Sequence, residues 1–344
     1  MANGNERFGY SDASRAEREI GLILRDHGMD RSKVKQMVVL GSGLGDFADG
    51  YMDAEKAWQP SGPVKIPFNQ IYGKFNGGGV EMLGEGVPGH DRSLIIGPLN
   101  GSTDGSLVMA QSGREHPYEG VSTRRSTFWL RVAQLMGVQD LIGSNAAGIL
   151  TPQTLKKNAL MLMHSDMDFG GDNPLIGQNN EDFGPRFPHR ADSYPVETRD
   201  IVKRLAEEMG IALDEGTYVR VSGPNYESTE DVYRLRHLVE EMWYQGRVEN
   251  DPRFQKFTKA TVGMSSTFEN MVAQHASQSE RYPAFQNRAY LSVATNYAAM
   301  LGPDGLIKGE VLKHAHVKQS ADEVKNHIGR LVQGVLLELR KKVA

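Results

Sequence analysis

The chain has 344 residues, of which 39% are hydrophobic, and its 39 basic and 43 acidic side chains give a formal net charge of −4. This length fits one large domain or two ordinary ones, and the near balance of charge provides no long-range attraction for nucleic acid or anionic membranes. The sequence contains no cysteine, which excludes disulfides, thiolate metal sites and thiol nucleophiles. Its polar start and the lack of an apolar run of about 18 residues predict a cytoplasmic globular protein without signal peptide or membrane span.

Short apolar segments alternate with amphipathic helical patterns along the chain. Ser14 to Glu17 has the sequence of a capping box and predicts the start of a first helix, which precedes a buried strand at Met37 to Leu40. Two later helices should end at glycines, and a third closes the chain: Phe128 to Met136, Ile201 to Met209, and Ala321 to Lys342. Seven more strands are predicted at Leu94–Ile96, Leu107–Met109, Leu141–Ile142, Leu160–Leu162, Tyr218–Val221, Thr261–Val262 and Leu291–Val293. This alternation indicates an α/β sheet covered by helices on both faces.

Three polar stretches interrupt this plan. Tyr51 to Glu85 is rich in glycine, whereas Trp243 to Thr258 and Gln274 to Asn287 are charged and rich in amides. We interpret all three as loop insertions at the surface of a single domain.

Glycines and polar side chains follow six of the predicted strands. These segments are Gly41–Gly45, Gly113–Gly120, Asn145–Gly148, Gly223–Glu227, Gly263–Ser265 and Thr295–Asn296. Because ligands of open α/β sheets bind at the carboxyl ends of the strands, the six segments predict one shared pocket.

Each segment alone has an ordinary structural interpretation. Gly41 to Gly45 lacks the third glycine of a dinucleotide loop, where Asp46 stands, and also the lysine of a P-loop. Arg114 and His116 are two potential cations suited to a phosphate dianion, or they belong to a solvated loop. Asn145 could be a turn residue, Asn296 a strand-end cap, and Glu227 a residue in the first turn of a helix that begins near Ser228. All six ordinary interpretations together are much less favoured than a common site.

Nine segments in order carry a resemblance to a known family. They are Gly41–Gly45, Val87–His90, Gly113–Gly120, Asn145–Gly148, Asn173–Leu175, Gly184–Phe187, Gly223–Glu227, Gly263–Ser265 and Thr295–Asn296. The sequence resembles the trimeric class of purine nucleoside phosphorylases, which includes the methylthioadenosine phosphorylases. The resemblance implies a single domain with a central mixed β-sheet flanked by helices, a homotrimer, and phosphorolysis of purine nucleosides in purine salvage. It implies inorganic phosphate as a co-substrate, a purine nucleoside as the other small-molecule partner, and no metal or organic cofactor.

The resemblance also implies roles for individual residues. Phosphate would contact Ser42, Arg114, His116, the backbone N–H of Ala146, and Ser265, with His90 at the mouth of this subsite. The ribose would pack against Tyr118, Tyr226 and Met264, and His316 would reach its terminal hydroxyl. Glu227 and Asn296 would bind the base, and with His116 and His90 they form the implied catalytic set.

Asn296 determines the predicted base preference. An amide can present either a donor or an acceptor, whereas related enzymes for 6-aminopurines have an aspartate at this position. Asn296 therefore predicts inosine and guanosine over adenosine, and adenosine also lacks the ring N–H that Glu227 would bind.

The sequence departs from the family pattern at several positions. Tyr226 stands where phenylalanine is usual, and Ile149 replaces a glycine. Phe169 is a candidate for contributing to a neighbouring subunit's sugar site, and His314 is the alternative to His316. The competing functions are methylthioadenosine phosphorylase, a catalytically silent nucleoside-binding protein on the same fold, and, more distantly, a Rossmann dehydrogenase.

Overall fold

The structure is a computed structural model that describes residues 8–41, 62–75, 91–191, 193–254, 259–306 and 314–341, with side chains in the last range from residue 324 onward. Within these residues, nine strands form one mixed sheet in the order β2-β3-β4-β1-β5-β8-β7-β6-β9. The strands are β1 Val34–Leu40, β2 Val64–Pro67, β3 Ser93–Pro98, β4 Leu107–Ser112, β5 Asp140–Ile149, β6 Ala159–Asp168, β7 Leu213–Arg220, β8 Lys259–Gly263 and β9 Asn287–Tyr297.

Eight helices are described beside the sheet. They are α1 Tyr10–Asp26, α2 Phe68–Tyr72, α3 Thr123–Ser126, α4 Phe128–Leu135, α5 Val196–Glu208, α6 Thr229–Val248, α7 Thr267–Ser277 and α8 His314–Lys341. The predicted helix ends near Gly137 and Gly210 are confirmed, and both glycines have left-handed φ angles. The predicted start at Ser14 is wrong: α1 already begins at Tyr10 after the N-cap Gly9, and the Asp12 carboxylate in its first turn accepts from the Phe8 N–H at 2.7 Å.

Alternate side chains of β1 point to opposite faces of the sheet and pack in two separate hydrophobic clusters. Met37 and Val39 face the cluster that includes α1, α4 and α7, whereas Val38 and Leu40 face the cluster that includes α5 and α8. Both faces of the sheet are therefore covered, and the predicted α/β class with a central mixed sheet flanked by helices is confirmed.

The sheet closes on itself in one half and opens in the middle. β9 pairs with both β6 and β5, so that β5, β8, β7, β6 and β9 form a closed set of strands. Along the other edge of β5, pairing with β1 ends at Gly143 and pairing with β8 begins at Gly148. This leaves an opening in the sheet beside residues 144–147, and the site lies there.

The three stretches interpreted as surface loops contain regular structure where they are described. Residues 62–75 supply β2 and α2, Trp243 to Val248 form the last turns of α6, and Gln274 to Ser277 end α7 with Gln274 and His275 buried. Gln274 donates to the His189 carbonyl at 3.1 Å, so these polar side chains are satisfied internally rather than by water. Among the described helices, none is both long and apolar enough to cross a membrane.

Candidate active site

One cavity lies at the opening of the sheet. It brings together nine of the twelve predicted site residues: Arg114, His116, Tyr118, Ala146, Tyr226, Glu227, Met264, Ser265 and Asn296. Ser42, His90 and the side chain of His316 lie outside the described residues. Segments that follow or end five different strands therefore converge, as the sequence predicts.

Arg114 is the buried cation of the cavity, with 3% of its surface exposed. Its Nε donates to Glu269 Oε1 at 2.6 Å, and one terminal nitrogen donates to the Ser144 carbonyl, also at 2.6 Å. The guanidinium is thus fixed between α7 and β5 while it lines the cavity. A planar guanidinium held in this way suits the bidentate binding of an oxyanion.

His116 lies beside Arg114 and is oriented by Glu119. The Glu119 carboxylate accepts from the His116 backbone N–H at 2.7 Å and lies 3.4 Å from its Nδ1. Burial lowers the pKa of His116, and the Glu119 carboxylate opposes this shift. The imidazole is therefore neutral at pH 7 and can offer one N–H donor to an anion. Its ring stacks on Tyr118, with the ring centroids 4.6 Å apart.

A buried ion pair anchors the segment that carries these residues. Glu115 accepts from a terminal nitrogen of Arg125 at 2.5 Å and from the Tyr72 hydroxyl at 2.8 Å. The Arg125 guanidinium also lies over the Phe8 and Tyr72 rings. Since neighbouring side chains point in different directions, this anchoring of Glu115 in the core leaves Arg114 and His116 at the cavity.

The start of α7 forms another wall of the cavity. The Ser265 backbone N–H donates to the buried Tyr218 hydroxyl at 3.1 Å, and Ser266 has a left-handed φ of 68°. Asn145 donates to Ser266 Oγ at 2.9 Å and accepts from Ser292 Oγ at 2.8 Å. Asn145 is therefore neither a turn residue nor a ligand contact but a buried link that joins β5, β9 and α7 behind the cavity.

Glu227 and Asn296, the two predicted base-binding residues, also line the cavity. Glu227 directly precedes Ser228, the N-cap of α6, so it lies before the helix and not in its first turn. Burial raises the pKa of Glu227. Asn296 is the penultimate residue of β9; its Oδ1 accepts from Thr295 Oγ1 at 2.9 Å, and its Nδ2 donates to the Tyr297 carbonyl at 3.2 Å.

The loop that carries Tyr226 and Glu227 rests on Met264. Gly223 has a left-handed φ of 71°, and a Cβ there would lie 2.4 Å from Met264 Sδ. Only glycine fits this backbone position, which brings the two cavity walls into direct contact. Tyr226 remains 46% exposed at the rim.

Sequence reasoning missed the residues that orient the site. Four residues contact the site residues or the segment that carries them: Glu269, Glu119, Tyr218 and Arg125. Of these, only Glu119 belongs to one of the segments that follow a predicted strand. For Glu269 a usable signal was present: it is a charged residue in an otherwise mostly uncharged stretch that forms the buried α7, and a buried charge requires a partner. Among the described residues, no group of three or more histidine, aspartate or glutamate side chains could hold a metal ion.

Comparisons with known proteins place the chain in a family. A profile of the phosphorylase superfamily matches residues 80–337. Purine nucleoside phosphorylase 1 of Bacillus subtilis is 30% identical over 301 residues, which cover 88% of this chain and 91% of that protein. The chain belongs to the purine nucleoside phosphorylase family. The bovine purine nucleoside phosphorylase is 33% identical over 280 residues, which cover 80% of either protein.

Solved structures of purine nucleoside phosphorylases have the same fold as this chain. A Schistosoma mansoni purine nucleoside phosphorylase in complex with adenosine superimposes with a TM-score of 0.72 over 96% of this chain and 98% of its own, at 23% identity. A schistosomal purine nucleoside phosphorylase in complex with hypoxanthine gives a TM-score of 0.71 over 97% and 99% of the two chains, at 22% identity.

Proposed function

We propose that this protein cleaves 6-oxopurine nucleosides, such as inosine and guanosine or their deoxy forms, with inorganic phosphate. The products are the free purine base and (deoxy)ribose 1-phosphate, as expected for an enzyme of purine salvage. The observation that carries the proposal is the single cavity in which Arg114, His116 and Ser265 meet Glu227 and Asn296. In this proposal the anion subsite and the base subsite share this cavity, with the sugar bound between them.

The chemistry follows from the charges that develop as the glycosidic bond breaks. The sugar becomes cationic and the departing purine becomes electron-rich, so groups at both ends must stabilise charge in the transition state. Phosphate held by Arg114 and the neutral His116 would attack the anomeric carbon as the bond to the base breaks. Asn296 would hydrogen-bond the purine's imidazole nitrogen and 6-oxo oxygen, and the Glu227 carboxylate would accept from the ring N–H.

The other predicted site residues would bind phosphate and the ribose. The Ala146 N–H would contact phosphate at the opening beside β5, and Tyr118, Tyr226 and Met264 would pack against the ribose. Ser42, His90 and His316 keep the roles that the resemblance implies. No cofactor is part of this proposal, and a cytoplasmic location is proposed with it.

Release of hypoxanthine from inosine tests the proposal. Product should form only when phosphate is present, and ribose 1-phosphate should appear in equal amount. Nucleoside binding without turnover would instead favour a silent binding protein on this fold, and turnover without phosphate would indicate a hydrolase.

The alternative to a preference for 6-oxopurines is the activity of a methylthioadenosine phosphorylase, which acts on a 6-aminopurine. Both base-binding residues favour a 6-oxopurine: the Asn296 amide can donate to the 6-oxo oxygen, and the Glu227 carboxylate would have no ring N–H to accept from beside adenine. A structural neighbour was crystallised with adenosine, so the comparison must measure turnover rather than occupancy. Equal kcat/KM values for inosine and adenosine would remove the argument from Asn296.

The raised pKa of Glu227 predicts an acid limb in the pH profile. As the pH falls through this pKa, above the ordinary value of 4.5, the carboxyl becomes protonated and can no longer accept from the ring N–H. We expect kcat/KM for inosine to fall on that side, and Glu227→Gln to lower kcat/KM and remove this limb. Phosphate and His116 titrate in both proteins, so only the difference between the two profiles reports Glu227. The exposed Glu230→Gln on α6 is the control and should keep the limb; an unchanged limb in Glu227→Gln would contradict the assignment.

We also propose a homotrimer that uses the surface around residues 169–187. Phe187 is 87% exposed and Ile176 is 64% exposed, and Phe169 lies on the same segment. In this proposal the exposed apolar side chains of the segment meet the neighbouring subunit, to whose sugar site the resemblance assigns Phe169. The doubly substituted Ile176→Ser/Phe187→Ser should lower the mass measured by light scattering from three chains toward one. The same change at Tyr233 and Tyr244, exposed on α6, should leave the mass unaltered.

A further inference from the structure

Glu269 is a buried carboxylate to which the proposed function assigns no role. Glu269 is 5% exposed, and its carboxylate pairs with Arg114, the cavity residue that would bind a phosphate anion. Like charges at short distance disfavour each other, so a carboxylate is an unfavourable neighbour for an anion unless it serves another purpose.

Glu269 helps to fix the orientation of the Arg114 guanidinium. Glu269 Oε1 accepts the Nε–H of Arg114 at 2.6 Å, and the Ser144 carbonyl accepts from a terminal nitrogen at 2.6 Å. These two acceptors lie on α7 and β5, so the plane of the guanidinium is fixed from two directions. A long arginine side chain without such acceptors would have several rotamers to choose from.

The two acceptors are themselves held in place relative to each other. Asn145, which follows Ser144 in β5, donates to the hydroxyl of Ser266, the N-cap of α7. Glu269 stands in the first turn of that helix, where the partial positive charge of the helix terminus also favours a carboxylate. β5 and α7 therefore form a rigid frame around the guanidinium.

We propose that Glu269 is a positioning residue for phosphate: it holds the Arg114 guanidinium in its binding orientation before the anion arrives. The proposal rests on the proposed function, because it assigns the phosphate to the Arg114 end of the cavity. Glu269 acts through Arg114 and does not touch the substrate. The position of its acceptor oxygen matters more for phosphate binding than its negative charge does.

Two conservative variants separate geometry from charge. Glu269→Gln loses the charge but keeps an oxygen at the same distance, so Arg114 keeps its orientation. Glu269→Asp keeps the charge but shortens the side chain by one methylene, which moves the oxygen away from Nε. If positioning is the role, Glu269→Asp has the larger effect; if charge is the role, Glu269→Gln has it.

The readout is the KM for phosphate at saturating inosine. We expect Glu269→Ala to raise this KM by about 10- to 100-fold, the order of effect that misplacing a binding group by 1 Å produces. Glu269→Asp should lie nearer to Glu269→Ala, and Glu269→Gln nearer to the wild type. The KM for inosine at saturating phosphate should change far less in all three variants.

Glu215→Ala is the matched control. Glu215 forms an ion pair with the buried Arg199 at 2.7 Å, outside the residues that line the cavity. It should lower the melting temperature, as Glu269→Ala does, and leave the phosphate KM unchanged. If Glu269→Ala does not fold, the ranking of the Asp and Gln variants still decides the question.

The two hypotheses fail in different ways. If wild-type protein shows no phosphate-dependent turnover, the proposed function is wrong. If the wild type has a measurable phosphate KM that Glu269→Asp leaves unchanged, or that Glu269→Gln alters more than Glu269→Asp does, the positioning role is overturned while the proposed function stands.

Discussion

Arg114→Ala is expected to lower kcat/KM for phosphate by about 100- to 1000-fold, the loss typical of removing one group that stabilises charge in a transition state. The same change should destabilise the fold. It leaves the Glu269 carboxylate buried without its partner, and breaking a buried ion pair from one side costs about 3–5 kcal/mol. Steady-state kinetics with varied phosphate measure the first effect, and urea unfolding measures the second.

A double variant separates the two effects of this substitution. Arg114→Met/Glu269→Leu replaces the whole ion pair by apolar side chains of similar size, which is often neutral for stability. Stability should therefore recover toward that of the wild type, while phosphorolysis stays lost. If activity recovered together with stability, Arg114 would be a structural residue and phosphate would bind elsewhere.

Asn296→Ala is expected to lower kcat for inosine by about 100- to 1000-fold, because the departing purine loses the amide donor that stabilises its negative charge. Asn296→Asp should also lower turnover of inosine, since a carboxylate can only accept hydrogen bonds and would face the 6-oxo oxygen. It should raise the ratio of adenosine to inosine turnover, because a 6-amino group can donate to the carboxylate. Competition assays with both nucleosides measure this ratio directly.

Asn287→Ala provides the control for these measurements. Asn287 starts the same strand, β9, and donates to Asp140 at 2.8 Å, away from the cavity. Its substitution should leave the adenosine-to-inosine ratio at the wild-type value. A ratio that Asn296→Asp leaves unaltered would mean that the base is read by other groups.

The fold was largely predictable, because alternating burial in strands and apolar stripes in helices are local patterns. Met37 to Leu40 alternate between two cores, and Gly137 and Gly210 end their helices as the sequence predicts. Local patterns failed where distant contacts decide the outcome. Gln274 looked like a loop residue because it is polar, but the His189 carbonyl accepts its hydrogen bond inside the protein.

For the site, the sequence by itself determined the groups that can do chemistry and where they stand in the chain. Segments that follow parallel strands gather at one edge of a sheet, but β8 runs antiparallel to β5 here, so their meeting at the opening beside β5 depends on the tertiary structure. Only the tertiary structure decided how those groups are oriented. Glu269 meets Arg114 across 155 positions of sequence, and Asn145 meets Ser266 across 121. Contacts at such separations follow from the packing of α7 against β5, which no local pattern of residues encodes.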